Sequence, residues 1–464
     1  MKTIQRTISI LGLFLMMMAG VSAKEPNVIF ILADDLGIGG LHCYGTDYLE
    51  TPNLDRLRAD GMKFSKGLAA YPTCKPSRAA LLTGQYGPRT SVYRVKDDYG
   101  QEEKARWVIP RNGVVEPTKF TLGQAFKKAG YATAMYGKWH ISNNKKTHPN
   151  PHYGYDEAFV SSGAHYNAVS DPPVELPEDT MIEKVFTDQA MGFMEKSVAA
   201  KNPFFIYMPY FLVHGPAEAK AEYIAHFEKK LKDVPLKEIG DKSHATVAAM
   251  TKMLDEYCGQ LIDKVNELGV EEDTIILFTS DNGSYDPNLT GGYRGTKGDT
   301  YDGGMRVPYI FKWKGKIEPG SLSGERITGV DVYPTLLGLA GIEKPQNHIL
   351  DGEDLTSLLT GKVEQLQTRN VYCFYPKYVR YSDKNQRWAL SWRNVIFSGD
   401  RKLIEYPEYD EYELFNLSTD SIEENDLSGT ESEHFETLKR SLHQWLIEVG
   451  APPLTPNPDY VSGQ

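Results

Sequence analysis

The sequence predicts an α/β fold: a mainly parallel sheet sandwiched by helices, followed by a smaller unit of antiparallel sheet and one helix. Three observations carry this. Continuous apolar runs near residues 26–33, 203–208 and 274–279 have the length of strands buried on both faces. Helical segments alternate with them, which is how a parallel sheet is covered on both sides. Beyond about Gln365 the pattern changes to short runs separated by turn-rich stretches, as in an antiparallel sheet. The predicted division is a leader over 1–23, a main unit over 24–365 and a C-terminal α+β unit over 366–464.

At 464 residues the chain is long enough for two or three domains. Its formal net charge of −11 speaks against a nucleic-acid binder, whose surface is usually basic. An anionic substrate stays compatible, because a cationic pocket can sit in an acidic surface. Lys2 and Arg6 precede the apolar run Ile8 to Met18, and Val21-Ser22-Ala23 fits a cleavage site. The N-terminus therefore reads as an export signal, with a mature chain starting near Lys24. That run is short for a membrane span, and no later stretch qualifies. The expectation is a periplasmic or secreted chain. Four cysteines, Cys43, Cys74, Cys258 and Cys373, are too few for a disulfide scaffold.

In chain order, Pro26 to Ala33 is a buried parallel strand that ends in Asp34-Asp35. Open α/β sheets bind ligands beyond that end of their strands. Thr51-Pro52 opens a helix through Arg58, Gly61 stops it, and Met62 to Phe64 begins an extended segment. Thr121 to Lys128 reads as a helix and Ala132 to Tyr136 as a strand running into Gly137-Lys138-Trp139-His140. From Ser142 to Pro177 the chain is rich in Asn, Gly, Pro and Tyr with little periodicity, which predicts a long surface excursion. A helix from Thr180 to Lys196 leads to the strand Pro203 to Met208, and then to Phe211-Leu212-Val213-His214. Val247, Met250, Leu254, Cys258, Leu261, Val265 and Leu268 recur at steps of three and four, giving a helix from His244 to Leu268 with Cys258 in the core. Thr274 to Thr279 is a strand ending in Ser280-Asp281-Asn282-Gly283, and a helix from Val330 to Leu339 packs on the sheet. The C-terminal unit should hold strands around 371–374, 388–397, 402–406 and 412–417, with a helix marked by Phe435, Leu438, Leu442, Trp445, Leu446 and Val449.

The reactive stretch is Thr73-Cys74-Lys75-Pro76-Ser77-Arg78-Ala79-Ala80-Leu81-Leu82-Thr83-Gly84. Pro and Ser suit a helix start. Cys74 is thus expected just outside a helix N-terminus, where free N–H groups and the macrodipole favour negative charge. Arg78, one turn in, points back to the same spot. Taken alone, such a cysteine is more often a buried residue before an ordinary helix. Asp34, Asp35, Asp281 and Asn282 are oxygen donors after strands, a set that favours Ca²⁺ or Mg²⁺ over zinc, although such pairs are commonly turn formers.

The order Cys-x-Pro-Ser-Arg followed by Leu-Leu-Thr-Gly resembles the signature of the type I sulfatases, whose cysteine is oxidised after translation to formylglycine. Lys138 and His140 in Gly-Lys-Trp-His match a second motif of that family, and His214 follows a strand as the family's third histidine does. Lys297, in Arg294-Gly295-Thr296-Lys297-Gly298 ahead of Asp302-Gly303-Gly304-Met305-Arg306, looks like its lysine segment. The resemblance runs from about Pro26 to Pro308 and implies a sulfuric ester hydrolase with an alkaline-phosphatase-like fold. It implies one divalent cation, usually calcium, held by Asp34, Asp35, Asp281, Asn282 and the residue made from Cys74. It implies that the hydrated aldehyde attacks sulfur with Asp281 as base, while Arg78 and His140 hold the diol. Lys138 and Lys297 would neutralise the sulfuryl oxygens, and His214 would protonate the leaving alcohol with assistance from Lys297. A maturation enzyme is implied as a partner. Three departures stand out: Lys75 where small or apolar residues are common, Gly40 where many members have Asp, and Asp302 in place of a frequent Glu.

The resulting expectation is an exported, calcium-dependent sulfatase that is exo-acting on a sulfated saccharide. Aromatics of the 142–177 excursion and of Trp388 to Trp392 are expected to rim a sugar pocket, with core packing as an equal alternative. Three rivals remain: an arylsulfatase for small aryl esters, a phosphomonoester or phosphonate hydrolase on the same fold, and an inactive sulfate-binding protein.

Overall fold

Strand β1 (Asn27–Ala33) lies near the middle of the main sheet, pairing in parallel with β6 (Phe204–Pro209) on one side and β7 (Thr274–Ser280) on the other. Val28, Phe30 and Leu32 enter one core with Phe205, Tyr207, Ile275 and Leu277. Ile29, Ile31 and Ala33 enter the other with Ile206, Met208, Ile276 and Phe278. A strand alternates its side chains, so a run that is apolar at every position must be covered on both faces. Each large side chain buried in this way contributes about 1.5–3 kcal/mol.

The computed structural model describes residues 25–96, 100, 102–142, 148–161, 163–239 and 243–460. The expected leader over 1–23 lies outside the described residues. The other strands of the main sheet are β2 (Met62–Leu68), β3 (Ala132–Gly137), β4 (Glu157–Ser161), β5 (Ser170–Asp171), β8 (Tyr309–Lys312) and β9 (Ser321–Thr328). Their order across the sheet is β5-β4-β3-β6-β1-β7-β8-β2-β9, and only β5 and β8 run against the rest. The carboxyl ends of β1, β2, β3, β6 and β7 therefore open on one edge.

Helices α1 (Pro52–Ala59), α2 (Cys74–Thr83), α3 (Leu122–Lys128), α4 (Ile182–Ala199), α5 (Ala221–Leu231), α6 (His244–Glu267) and α7 (Val332–Ala340) accompany the sheet. Helix α3 begins on a capping box of Thr121 and Gln124, which satisfies two backbone N–H groups at its start. Helix α6 buries Cys258 as its periodicity predicts, and Gly269 beyond it takes the left-handed conformation that closes helices. Helix α5 and strands β8 and β9 were not foreseen. Only Phe227 and Leu231 of α5 are buried, so its apolar stripe is thin.

In the C-terminal region β10 (Asn370–Tyr375), β13 (Arg393–Ser398), β14 (Arg401–Tyr406) and β15 (Glu411–Asn416) form an antiparallel sheet. Strands β11 (Val379–Ser382) and β12 (Arg387–Leu390) form a separate ribbon. Helix α8 (Ser432–Glu448) packs Leu438, Leu442 and Trp445 onto this region, with Trp445 stacked on Tyr372 at 4.4 Å between ring centroids. The run expected near 388–397 is thus two strands. Trp388 and Trp392 are both buried in this core, so core packing, not a sugar rim, is their role. Much of the 142–177 excursion also turns inward: it supplies β4 and β5, and Tyr153, Tyr155 and His165 are buried. A polar composition hid these strands, although β4 pairs with the nearby β3 and β5 with β4.

Candidate active site

Asp34 and Asp35 follow β1, Asp281 and Asn282 follow β7, Lys138 follows β3, and His214 lies beyond β6. Cys74 reaches the same edge as the first residue of α2, with Thr73 as the flanking residue. Cys74 is therefore inside the first turn of the helix and not just outside it. Lys297 completes the group from the loop after β7, which Gly298 N–H ties to the Pro72 carbonyl at 2.7 Å. The structure thus gathers at one edge the ten residues singled out in the sequence. At Gly137, φ is +137° and an added Cβ would lie 2.0 Å from the Pro209 carbonyl oxygen, so only glycine lets the chain deliver Lys138 there.

The cluster is a network of buried opposite charges. Arg78 Nε donates to Asp281 Oδ2 at 2.7 Å, Arg78 Nη1 donates to the Lys138 carbonyl at 2.8 Å, and Arg78 Nη2 lies 3.4 Å from Asp34 Oδ2. Lys138 Nζ pairs with Asp34 Oδ2. Lys297 Nζ donates to Asp35 Oδ2 at 2.6 Å, and Asn282 Nδ2 donates to Asp35 Oδ1 at 2.8 Å. Cys74 Sγ is 3.9 Å from Asp35 Oδ1, and His214 Nε2 is 3.9 Å from Asp35 Oδ2. Asp35 and His140 both hold positive φ, +62° and +64°, a conformation that costs about 1–3 kcal/mol for a residue with a side chain.

Electrostatics divide the group. Burial alone would raise the Asp34 carboxyl, but Lys138 and Arg78 hold it well below the usual carboxylate range. Asp281 is pushed up to about 7 by burial and by the charge of Asp34. Burial pushes the Cys74 thiol up to about 12, so the expected anion-favouring effect of the helix start does not produce a thiolate at neutral pH. His140 and His214 are both lowered, first by burial.

The donors fit a hard divalent cation. Asp34 Oδ1 and Asn282 Oδ1 are buried without a hydrogen-bond partner, and ligand atoms of Asp34, Asp35 and Cys74 lie within 4.8 Å of one another. Unsatisfied buried oxygens beside carboxylates are what Ca²⁺ or Mg²⁺ would satisfy. One further cation escaped the sequence reading. Lys377, between β10 and β11, has its Nζ 3.8 Å from where a Cβ on Gly298 would lie, and burial with the charge of Lys297 lowers it to about 8. A single lysine in a turn carries no pattern that could have announced it.

Residues 26–342 match the family described as Sulfatase, and residues 296–451 match one described as N-sulphoglucosamine sulphohydrolase, C-terminal. The chain belongs to the sulfatase family. It is accordingly an enzyme that hydrolyses sulfuric esters. The sulfatase is 28% identical over 486 residues to N-acetylgalactosamine-6-sulfatase of Canis lupus familiaris, covering 94% of this chain and 89% of that protein. It is 26% identical over 520 residues to steryl-sulfatase of Homo sapiens, covering 90% and 87%. Among solved structures, Ps i-CgsB in complex with k-i-k-neocarrahexaose superposes with a TM-score of 0.76 at 25% identity, over 94% of this sulfatase and 95% of that chain. No helix among the described residues is long and apolar enough to cross a membrane.

Proposed function

We propose that this sulfatase removes sulfate from a sulfated saccharide by exo-action, using formylglycine made from Cys74 and one Ca²⁺. The observation that carries the reading is the convergence of Asp34, Asp35, Asp281 and Asn282 with Arg78, Lys138 and Lys297 around Cys74. A thiol held up to about 12 is a weak nucleophile at neutral pH, which supports chemical conversion of this residue. When present, the cation supplies charge stabilisation to the sulfuryl oxygens, and formylglycine supplies a hydroxyl nucleophile. Asp34, Asp35, Asp281 and Asn282 would hold the cation.

The chain's own residues do the rest. Lys138 and Lys297 set positive charge where the sulfuryl group becomes more negative, in a site largely closed to water. Arg78 and His140 orient the nucleophile, and Asp281 is the carboxylate placed to take its proton. His214, one-third exposed at its side chain, faces the open side and donates a proton to the leaving oxygen. Saccharide substrates are supported by the name of the N-acetylgalactosamine-6-sulfatase relative and by the neocarrahexaose bound to Ps i-CgsB. The proposal includes export through the segment 1–23, a maturation enzyme acting on Cys74, and the division at residues 365/366.

The test is mass spectrometry of the Cys74 peptide, joined to sulfate release from sulfated mono- and oligosaccharides beside an aryl sulfate. The expected result is an aldehyde-derived mass at Cys74 and turnover of at least one sugar sulfate. Full activity with an unmodified thiol would overturn the mechanism. Hydrolysis of the aryl ester alone would overturn the substrate class.

A further inference from the structure

His165 and Glu183 form a buried pair directly behind His214, and His165 reaches that residue through its backbone carbonyl. His165 Nδ1 lies 2.6 Å from Glu183 Oε1, and its Nε2 lies 2.9 Å from the carbonyl oxygen of His214. The His214 carbonyl can only accept, so Nε2 of His165 carries a proton, and the Glu183 carboxylate favours a second proton on Nδ1. Burial opposes that charge, but Glu183 outweighs it and raises the His165 pKa above its ordinary value. Glu218 adds a second carboxylate nearby, its Oε2 accepting from the backbone N–H groups of His165 and Tyr166 at 3.2 Å each. The side chains of His165 and Glu183 are 0% and 2% exposed.

His214 is gripped through its backbone. Its N–H donates to the Phe211 carbonyl at 2.9 Å, while its carbonyl accepts from His165. Its ring Nδ1 faces the Gly215 carbonyl at 2.6 Å, which requires a proton on Nδ1; Nε2, directed toward the site, carries the second proton when the ring donates. Phe211 packs edge-on against both rings, at 5.1 Å from His214 and 5.8 Å from His165. The neighbouring Val213 N–H is bolted to the Asp34 carbonyl at 2.7 Å. One side of the His214 segment is thus fixed by the end of β1, and the other by His165. A buried ion pair costs desolvation that an apolar pair of the same volume would not, so stability alone does not account for it.

We infer that His165, held by Glu183, is a positioning residue that fixes the His214 backbone and so presents Nε2 of His214 to the leaving oxygen. The inference rests on the reading of His214 as proton donor. It does not depend on the substrate being a saccharide.

The experiment compares the matured, calcium-loaded enzyme with His165→Ala, His165→Gln, Glu183→Gln and His214→Ala. The substrates are para-nitrophenyl sulfate, whose leaving oxygen needs little help from a proton, and para-methoxyphenyl sulfate, which needs more. Loss of positioning should lower kcat for the methoxy ester by on the order of 10²-fold and for the nitro ester by about threefold or less, as in His214→Ala. Gln can still donate to the His214 carbonyl, so His165→Gln should recover most of the loss. Nitrogen NMR of labelled histidine should show Nδ1 of His214 protonated in the parent, with Nε2 taking the second proton in the donating form, and a mixture of tautomers of the neutral ring in His165→Ala. Equal losses on both esters, no loss, or an unchanged His214 tautomer would overturn the inference. If His165→Ala does not fold, Glu183→Gln carries the same comparison, with an intermediate loss expected. If His214→Ala itself fails to separate the two esters, the proton-donor reading falls. The tautomer then decides positioning: a mixture in the variant upholds it, and an unchanged ring rejects it.

Discussion

Two buried charge clusters meet along the single segment 294–306, and they are finished to different degrees. At its Lys297 end lies the candidate active site, where Asp34 Oδ1, Asn282 Oδ1, His140 Nδ1 and Arg78 Nη2 have no hydrogen-bond partner. At its Asp302 end lies a joint with the C-terminal sheet. There Asp302 Oδ1 takes Lys402 Nζ at 2.9 Å, Asp302 Oδ2 takes Arg306 Nε at 2.7 Å, and Glu423 Oε1 lies 2.6 Å from Lys402 Nζ. The Asp302 N–H donates to Glu423 Oε2 at 2.7 Å. Leaving a buried polar atom unpaired costs about 1–3 kcal/mol, so the two clusters serve different ends. Glu423 Oε1 also makes no hydrogen bond, but Lys402 Nζ stands 2.6 Å from it, so the joint is neutralised by its own charges, whereas the open oxygens at the other end suit a ligand.

The largest effect should come from the open cluster. Cys74→Ala should lower sulfate release by on the order of 10⁶-fold, the scale seen when a nucleophile is removed. The same variant should move the denaturation free energy by only about 1 kcal/mol, because little volume is lost. A collapse of the fold would instead make Cys74 a core residue and erase the contrast.

Lys402→Met should do the reverse. It leaves Asp302 and Glu423 facing each other without their shared cation, at a cost of about 3–5 kcal/mol in denaturant unfolding. The folded fraction should still turn over at the parent's rate; slower turnover would mean that the joint also sets the position of Lys297. Adding calcium sharpens the comparison further. At a hundredfold excess over its Kd, it should stabilise the parent and Lys402→Met alike by about 2.7 kcal/mol, seen as a rise in Tm. Asp34→Asn should lose most of that rise.

The smallest effect concerns acid. Burial would raise the Asp302 carboxyl, but Lys402 and Arg306 hold it well below the usual range. Its contribution is therefore fully present above the unfolded value of about 4 and is lost as pH falls through the lower folded value. Asp302→Asn should flatten that part of the acid limb in a stability-versus-pH titration. An unchanged slope would show that other carboxylates carry it.

How far the sequence reveals each cluster differs for the same reason. Asp34-Asp35 and Asp281-Asn282 were legible because each follows an apolar run whose end must lie at the ligand edge, and Cys74, Lys138 and Lys297 sit in extended motifs. The joint was not legible. Lys402 lies in an alternating strand and Glu423 in a turn-rich stretch, and nothing local states that they will meet Asp302 across 100 and more positions. His165 was hidden likewise, as a lone histidine in an aperiodic segment. Composition misled at Trp388 and Trp392, because aromatic side chains that suit a sugar face suit a core equally well.

The depth of Cys74 sets an order of events in the making of the protein. Only 2% of this residue is exposed once folding is complete, and Arg78 beside it is closed over by Asp281, 203 positions later in the chain. On the proposed mechanism, an enzyme that converts Cys74 must reach it before those later residues pack over it. At roughly 5–20 residues per second, synthesis leaves an interval on the order of ten seconds or more. On the proposed mechanism the nucleophile is made on an open polypeptide, and a chain that folds first keeps the thiol sealed inside.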